Sequence, residues 1–168
     1  MLLALDVHYR ADHAQSVCIA FEKWEDTALL RTHTVIVNDV AEYEPGAFYK
    51  RELPCLLAVL ADFDLNEVEA IVVDGYVFLD DTGKWGLGAW LFDALNQRVP
   101  VVGVAKTRFQ SLTIPSLVAE VLRGESHNPL FVTAIGAELP NIAEKIQKMS
   151  GPYRIPELLK KVDELSRL

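Results

Sequence analysis

The sequence predicts one α/β domain over residues 1–168, built on a mixed β-sheet with flanking helices. Two observations lead to this fold class. The first forty residues contain three segments rich in Val, Ile, Thr and aromatic residues, and the short polar connections between them favour an antiparallel meander. From residue 70 onward, short apolar runs alternate with helix-like segments, which is typical of alternating strands and helices. No stretch rich in Ser, Gly or Pro divides the chain.

The first half of the chain supplies the meander and one helix. The three predicted strands are Leu2–Tyr9, Gln15–Trp24 and Leu29–Val37. A turn is predicted at Tyr43-Glu44-Pro45-Gly46, followed by a helix over Ala47–Leu60. Pro54 interrupts that helix unless the helix begins near it, because a proline in the first turn removes no helical hydrogen bond.

The second half alternates between strands and helices. Three continuous apolar runs are typical of strands buried on both faces, namely Ala70–Asp74, Val99–Ala105 and Pro129–Ala134. The predicted helices are Gly86–Asn96, the short Ser116–Leu122, Leu139–Met149 and Ile155–Leu168. The last of these has apolar residues at helical spacing, so we expect it to pack on the sheet.

The composition predicts a cytoplasmic protein with an ordinary core. Hydrophobic residues make up 51% of the chain, which excludes wholesale disorder. No apolar run approaches the roughly 18 residues of a membrane span, and Asp6 breaks the apolar N-terminal stretch too early for a signal peptide. Cys18 and Cys55 lie in apolar segments without metal-ligand spacing, so we expect reduced core cysteines.

Negative charge is concentrated in one part of the sequence. The net charge is −8, and residues 61–81 contain seven acids and no Lys or Arg. The rest of the chain is close to neutral. An acidic protein binds polyanions poorly unless basic residues cluster or a divalent cation bridges the repulsion. A nucleic-acid partner would therefore require one of these two devices.

Two acids lie at positions where a carboxylate is unusual. Asp6 interrupts an apolar strand, and Asp74 closes the run Ile71-Val72-Val73. A buried carboxylate needs a partner, a proton or a metal, and ligands gather at the carboxyl ends of strands in α/β sheets. Either residue alone fits a strand-end cap. Together, on strands expected to be adjacent, they indicate a divalent cation with oxygen ligands.

Other polar residues give weaker signals when considered alone. Glu52 fits a solvated acid at a helix start, Asp163 fits the edge of an apolar helical stripe, and Lys106 fits a solvated lysine at a strand end. The four histidines have no metal-ligand spacing. No phosphate-binding Gly loop, nucleophile elbow or dinucleotide fingerprint is present.

An ordered series of short motifs resembles the endonuclease V family over nearly the whole chain. The motifs are Asp6-Val7-His8-Tyr9, Tyr43-Glu44-Pro45-Gly46, Arg51-Glu52-Leu53-Pro54, Val73-Asp74-Gly75, Val102-Gly103-Val104-Ala105-Lys106 and Arg154-Ile155-Pro156-Glu157. This resemblance implies a ribonuclease H-like fold and a Mg²⁺-dependent phosphodiesterase, with Mn²⁺ as the alternative cation. Such enzymes cut DNA or RNA near a deaminated base, typically inosine.

The same resemblance implies roles for particular residues. The metal-binding and catalytic carboxylates would be Asp6, Glu52, Asp74 and Asp163. Lys106 would be a catalytic lysine that contacts phosphate, and Tyr43 would be the wedge that enters the strand at the lesion. The remaining positions assigned to nucleic-acid contact are Pro45, Gly46, Gly75 and Arg108.

The segment after Gly75 departs from the family pattern. The family has His-Pro-Arg here, whereas this chain has two acids, Asp80 and Asp81. Two hypotheses remain: an active nuclease, or a non-catalytic module that binds nucleic acid or protein, which the missing motif and the negative charge favour. Accidental motif matches are disfavoured by their order. The oligomeric state stays open, and a monomer is compatible with the sequence.

Overall fold

A seven-stranded mixed sheet with helices on both faces forms the framework of the computed structural model, which describes residues 1–168. The strand order is β3-β2-β1-β4-β5-β7-β6. The strands are β1 (Leu2–Tyr9), β2 (Ala14–Phe21), β3 (Arg31–Val37), β4 (Ala70–Asp74), β5 (Val101–Ala105), β6 (Ala119–Val121) and β7 (Leu130–Ile135). The helices are α1 (Tyr49–Leu60), α2 (Leu87–Ala94), α3 (Leu139–Lys148) and α4 (Glu157–Ser166), with a 3₁₀ turn at Leu65–Glu67.

Strand directions place several loops at one edge of the sheet. The β1–β2 and β2–β3 pairs are antiparallel, whereas β1, β4 and β5 pair in parallel. The carboxyl ends of β1, β3, β4 and β5 therefore lie at one edge, which we term the carboxyl edge. The opposite edge, where β4 begins, is termed the amino edge. The predicted meander followed by alternating strands and helices is confirmed.

Alternation along the strands divides the core into two layers. Leu2 and Ala4 of β1 belong to a cluster with apolar residues of α3 and α4, while Leu3 and Leu5 belong to one with α1 and α2. Successive strand residues point to opposite faces, so α3 and α4 cover one face of the sheet and α1 and α2 the other. We term these the α4 face and the α1 face.

One prediction of local structure is wrong. Ser116–Leu122 is not a helix, because Ala119–Val121 forms β6 and pairs antiparallel with β7. The free edge of β7 supplies backbone partners that a short isolated helix would lack, and tertiary pairing overrides the local preference. The predicted helix over Ala47–Leu60 is present as α1, which begins at Tyr49, so Pro54 lies inside it and removes one N–H from the helical ladder.

A buried arginine organises the approach to α4. Arg123 is 4% exposed, and its guanidinium donates hydrogen bonds to backbone carbonyls of the segment that precedes α4. These acceptors belong to Gln147, Met149, Ser150, Gly151, Tyr153 and Arg154. Six carbonyls therefore share one cation, which satisfies backbone groups between the end of α3 and the start of α4 and fixes the start of α4.

The cysteines and the lengths of the helices are two further features of the fold. Cys18 and Cys55 are both free and buried, as predicted. None of the helices has the length and apolar character required to cross a bilayer.

Candidate metal and phosphate site

Strand register places Asp6 beside Asp74. Leu5 of β1 lies opposite Val73 of β4, so the next residue in each strand follows at the same level. Ala4 and Val72 point to the α4 face, and by alternation Asp6 and Asp74 point there too. Neighbouring strands lie about 4.8 Å apart, which brings the two carboxylates to the same place at the carboxyl edge. The predicted adjacency of their strands is confirmed.

Helix α4 adds a third carboxylate on the same face. Asp163 lies on α4, and its negative charge raises the pKa of both Asp6 and Asp74. A cavity of about 250 Å³ opens among Asp6, Asp74 and Asp163. Lys106 and Lys160 also line it, and its remaining walls are apolar side chains of the sheet and α4. The structure therefore brings three of the four predicted carboxylates and the predicted lysine into one cavity.

Glu52 approaches from the other face of the sheet. It belongs to α1, is 6% exposed, and does not line the cavity. Its Oε2 atom is buried without a hydrogen-bond partner. The neighbouring Arg51 places its guanidinium over the Tyr9 ring at 3.8 Å instead of neutralising this oxygen. Glu52 is thus a buried acid that no protein group satisfies.

Burial and mutual repulsion raise the pKa values of these acids. Burial, with a smaller contribution from the charges of Asp6 and Asp74 and against the attraction of Arg51, raises the pKa of Glu52 to about 8. Burial likewise raises the pKa of Asp6 to about 6, although its hydrogen bond from Ser166 acts in the opposite direction. Asp74 is exposed to solvent, yet partial loss of hydration raises its pKa as well. The positive charge of Lys106 acts in the opposite direction.

This donor set fits a divalent cation in its chemistry. All candidate ligands are carboxylate oxygens, which hard cations prefer, and the unpaired Glu52 oxygen calls for a positive charge. The raised pKa values of Asp6 and Glu52 reflect the same lack of a counter-charge. However, no three acidic, His or Cys side chains converge closely enough to form a metal site as they stand. Binding would require these carboxylates to move closer together.

Lys106 follows β5 directly and is held in place through its backbone. Asp74 pairs with Val104 of β5, so Lys106 lies two residues beyond that level. The Lys106 carbonyl accepts a hydrogen bond of 2.6 Å from Arg154, which also donates to the Pro129 carbonyl. Arg154 therefore supports the end of β5. Lys106 supplies the positive charge that faces Asp74.

The predicted nucleic-acid contacts lie at the carboxyl edge but are not all free. Tyr43 is 58% exposed in the loop after β3, beside the exposed Pro45 and Gly46. Gly75 follows Asp74 with φ +130°, a conformation that favours glycine. Arg108, by contrast, forms an ion pair with Glu120 of β6 and lies over the Phe131 ring. Its guanidinium already has partners.

The two acids that replace His-Pro-Arg hold loops together. Asp80 accepts hydrogen bonds from Thr82 and Lys84 in its own turn. Asp81 accepts from both the backbone and hydroxyl of Thr113 and from the backbone of Ile114, which ties the loop after β4 to the loop after β5. These hydrogen bonds lower the pKa of both acids. Asp80 and Asp81 are therefore structural residues.

Two features of the site lie outside the sequence predictions. Ser166 donates a hydrogen bond to Asp6, and its only sequence signal is its position one helical turn after Asp163. An aromatic cluster beside α1 and α2 contains Tyr49 stacked on Trp90 at 4.6 Å, with Trp85 edge-on to Trp90 at 4.8 Å. Trp85 is 37% exposed, so this cluster offers an aromatic surface near Glu52.

Comparison with known proteins identifies a family and its fold. The family model for endonuclease V matches residues 1–164. Among curated protein sequences, none matches this chain significantly. The structure of endonuclease V from Streptomyces avermitilis superimposes with a TM-score of 0.75 at 25% identity, covering 99% of this chain and 79% of that one.

Two animal proteins are similar in structure at lower identity. The catalytic domain of human endonuclease V gives a TM-score of 0.80 at 21% identity and covers 99% of this chain and 80% of that one. Endonuclease V from Ciona intestinalis, in complex with a 23mer DNA containing an inosine followed by a ribo-adenosine, gives 0.79 at 20% identity, with 99% and 83% covered.

Proposed function

The chain belongs to the endonuclease V family, and on that premise we propose that it is a divalent-metal-dependent endonuclease. Its reaction would be hydrolysis of a phosphodiester bond near a deaminated base, inosine in the first instance, in DNA or RNA. The Ciona intestinalis relative in complex with inosine-containing DNA supports the choice of substrate.

The observation that supports catalysis most directly is the uncompensated Glu52. Its carboxyl is buried, has an oxygen without a partner, and lies near two further acids whose pKa values are raised. Removing one partner of a buried charge pair costs about 3 to 5 kcal/mol, so a domain without a cation would gain stability by replacing this acid. The chain retains carboxylates at all four positions.

The proposed cation is Mg²⁺, with Mn²⁺ as an alternative. Asp6, Asp74 and Asp163 would hold it from the α4 face, and Glu52 from the α1 face. When bound, the cation activates water for attack on phosphorus and neutralises the leaving oxygen.

The remaining site residues would bind and orient the nucleic acid. Lys106 lines the cavity and is placed to stabilise negative charge that develops on the phosphate. Tyr43 exposes its ring at the same edge, where it can enter the base stack. Trp85 provides a second aromatic surface at this edge, and stacking of bases on aromatic rings contributes about 1 to 3 kcal/mol per base.

Strand cleavage tests the proposal directly. Inosine-containing and undamaged DNA and RNA oligonucleotides are incubated with the protein in Mg²⁺, in Mn²⁺ or in EDTA. We expect metal-dependent cleavage that prefers inosine and is lost in Asp6→Asn/Asp74→Asn. The matched control is Glu67→Gln/Glu69→Gln, which removes the same charge at the amino edge and should retain cleavage.

A second candidate is a binding module without catalysis. It is favoured by the loss of His-Pro-Arg and by the structural use of Asp80 and Asp81 in its place. In that case the folded protein would retain inosine-containing oligonucleotides in a binding assay but cleave none of them with either metal. Cleavage abolished by Asp6→Asn/Asp74→Asn would exclude this candidate.

A further inference from the structure

We propose that Ser166 is a positioning residue that orients the Asp6 carboxylate for cation binding and couples it to Asp163. The inference rests on the proposed function, because it concerns the same carboxylates. Ser166 would not contact substrate and would act only through Asp6.

The hydroxyl of Ser166 lies between the two proposed ligands. Its Oγ donates to Asp6 Oδ2 at 2.6 Å, and the backbone carbonyl of Asp163 lies 2.8 Å from the same Oγ. Ser166 is fully buried, at 0% exposure. A hydroxyl carries one proton, and a charged carboxylate is a stronger acceptor than a carbonyl. The hydroxyl proton of Ser166 therefore points to Asp6, and water does not compete for it because Ser166 is buried.

This hydrogen bond leaves Asp6 with one oxygen engaged and one available. The Asp6 side chain, which starts from β1, is thereby tied to α4. A donor that contacts a ligating carboxylate without touching the metal fixes the orientation of that carboxylate, and its removal typically lowers metal affinity about 10-fold to 100-fold.

The last turn of α4 is itself fixed to the sheet. Arg10, in the turn between β1 and β2, donates to the carbonyls of Arg167 and Leu168 at 3.0 and 2.8 Å. Arg167 in turn contacts the Asp163 carboxylate at 3.2 Å. Ser166 therefore sits on a turn of α4 that Arg10 ties to the β1–β2 turn, which keeps the Ser166 hydroxyl within reach of Asp6.

Calorimetric titration with Mn²⁺ tests this role, using the full chain without nucleic acid. Wild type, Ser166→Ala, Ser166→Thr and Ser16→Ala are compared, and the Tm of each metal-free protein is measured alongside. Ser16 is the matched control, because it is equally buried and donates at 2.8 Å to a backbone carbonyl, that of Cys55, rather than to a carboxylate.

We expect Ser166→Ala to raise the Mn²⁺ Kd about 10-fold or more, while Ser16→Ala lowers Tm and leaves the Kd unchanged. Ser166→Thr keeps the donor and should restore the affinity if it folds. In cleavage assays the metal concentration for half-maximal rate should rise in Ser166→Ala, with the rate at saturating metal changed less.

An unchanged Kd in Ser166→Ala, with wild type binding Mn²⁺ normally, would overturn the inference and leave the proposed function intact. Absence of Mn²⁺ binding by wild type would overturn both the inference on Ser166 and the proposed function. The wild-type titration alone gives that result, so the two failures are distinguishable. If Ser166→Ala proves unstable, Ser166→Cys takes its place, because a thiol of similar size is only a weak hydrogen-bond donor: a raised Mn²⁺ Kd supports the positioning role, and a wild-type Kd contradicts it.

Discussion

The backbone of Gly75 passes so close to Gly103 that no side chain fits between them. A Cβ atom on Gly103 would lie 2.6 Å from the Gly75 carbonyl oxygen and 2.7 Å from Thr133 Oγ1. Thr133 Oγ1 accepts a hydrogen bond of 2.9 Å from the Val77 backbone, so the same contact fixes the chain as it leaves β4. The position of Asp74 thus depends on glycine at position 103 of the neighbouring strand, because a side chain there would push the backbone after Asp74 away.

Substitution Gly103→Ala should therefore damage both stability and the site. The added methyl must displace backbone rather than a flexible side chain, and overpacking of this kind costs about 1 to 3 kcal/mol. Thermal unfolding should show a Tm several degrees lower, and cleavage should fall further than stability alone explains, because Asp74 is displaced. A variant with wild-type Tm and wild-type cleavage would show that the strands separate without cost.

Removal of protons from Glu52 should destabilise the metal-free protein. The folded state binds this proton more tightly than the unfolded chain, since the pKa rises from 4.5 to about 8. Stability is then highest below the unfolded value and falls as pH rises towards the folded value. In EDTA, Tm should decrease between about pH 6 and pH 8 in wild type and much less in Glu52→Gln.

Added Mg²⁺ provides the complementary measurement. At pH 8 a bound cation replaces the missing proton, so Mg²⁺ should raise the Tm of wild type more than that of Glu52→Gln. Equal pH slopes in the two proteins would mean that Glu52 is not the group that controls this transition.

Replacement of Lys106 by Met should slow cleavage without unfolding the protein. Lys106 lines the cavity beside Asp74, and loss of one group that stabilises transition-state charge typically costs about 100-fold in rate. The control is Lys161→Met, a lysine on α4 that is exposed and does not line the cavity. Similar rates for the two variants would remove Lys106 from the proposed mechanism.

Arg123 should be essential to the fold and not to the chemistry. In Arg123→Met, several carbonyls before α4 lose a charged donor, and hydrogen bonds to charged groups contribute about 1.5 to 3 kcal/mol each. We expect a Tm about 10 °C lower and a weaker metal response, because α4 supplies Asp163. Chemical denaturation would measure the loss; a midpoint within error of wild type would contradict it.

Apolar runs predicted the strands that carry Asp6 and Asp74, and each acid was noticeable because it stands within or at the end of such a run. Strand pairing then brings the two acids together. The sequence did not predict that Glu52 would approach from the opposite face, since α1 has no sequence feature that reveals which side of the sheet it covers. β6 was missed because three residues take their structure from the edge of β7.

Ser166 and Asp81 show a different limit of sequence reasoning. Their roles depend on partners 160 and 32 residues away along the chain, and only folding creates those contacts. Asp81 in particular belongs, in the sequence, to the negative charge that disfavours a nucleic-acid partner, whereas in the structure its carboxylate accepts hydrogen bonds from Thr113 and Ile114.

The division of charge between the two edges also governs how a polyanion meets this protein. The four acids before β4 lie towards the amino edge, away from the cavity; they are Asp62, Asp64, Glu67 and Glu69. At the opposite end the cavity carries Asp6, Asp74 and Asp163 beside Lys106 and Lys160, so a bound divalent cation would remove the excess negative charge there and leave the molecule with an electric dipole along the strands. A nucleic acid would be turned to meet the carboxyl edge before contact, and this orientation would weaken with salt over a Debye length of about 10 Å at 0.1 M.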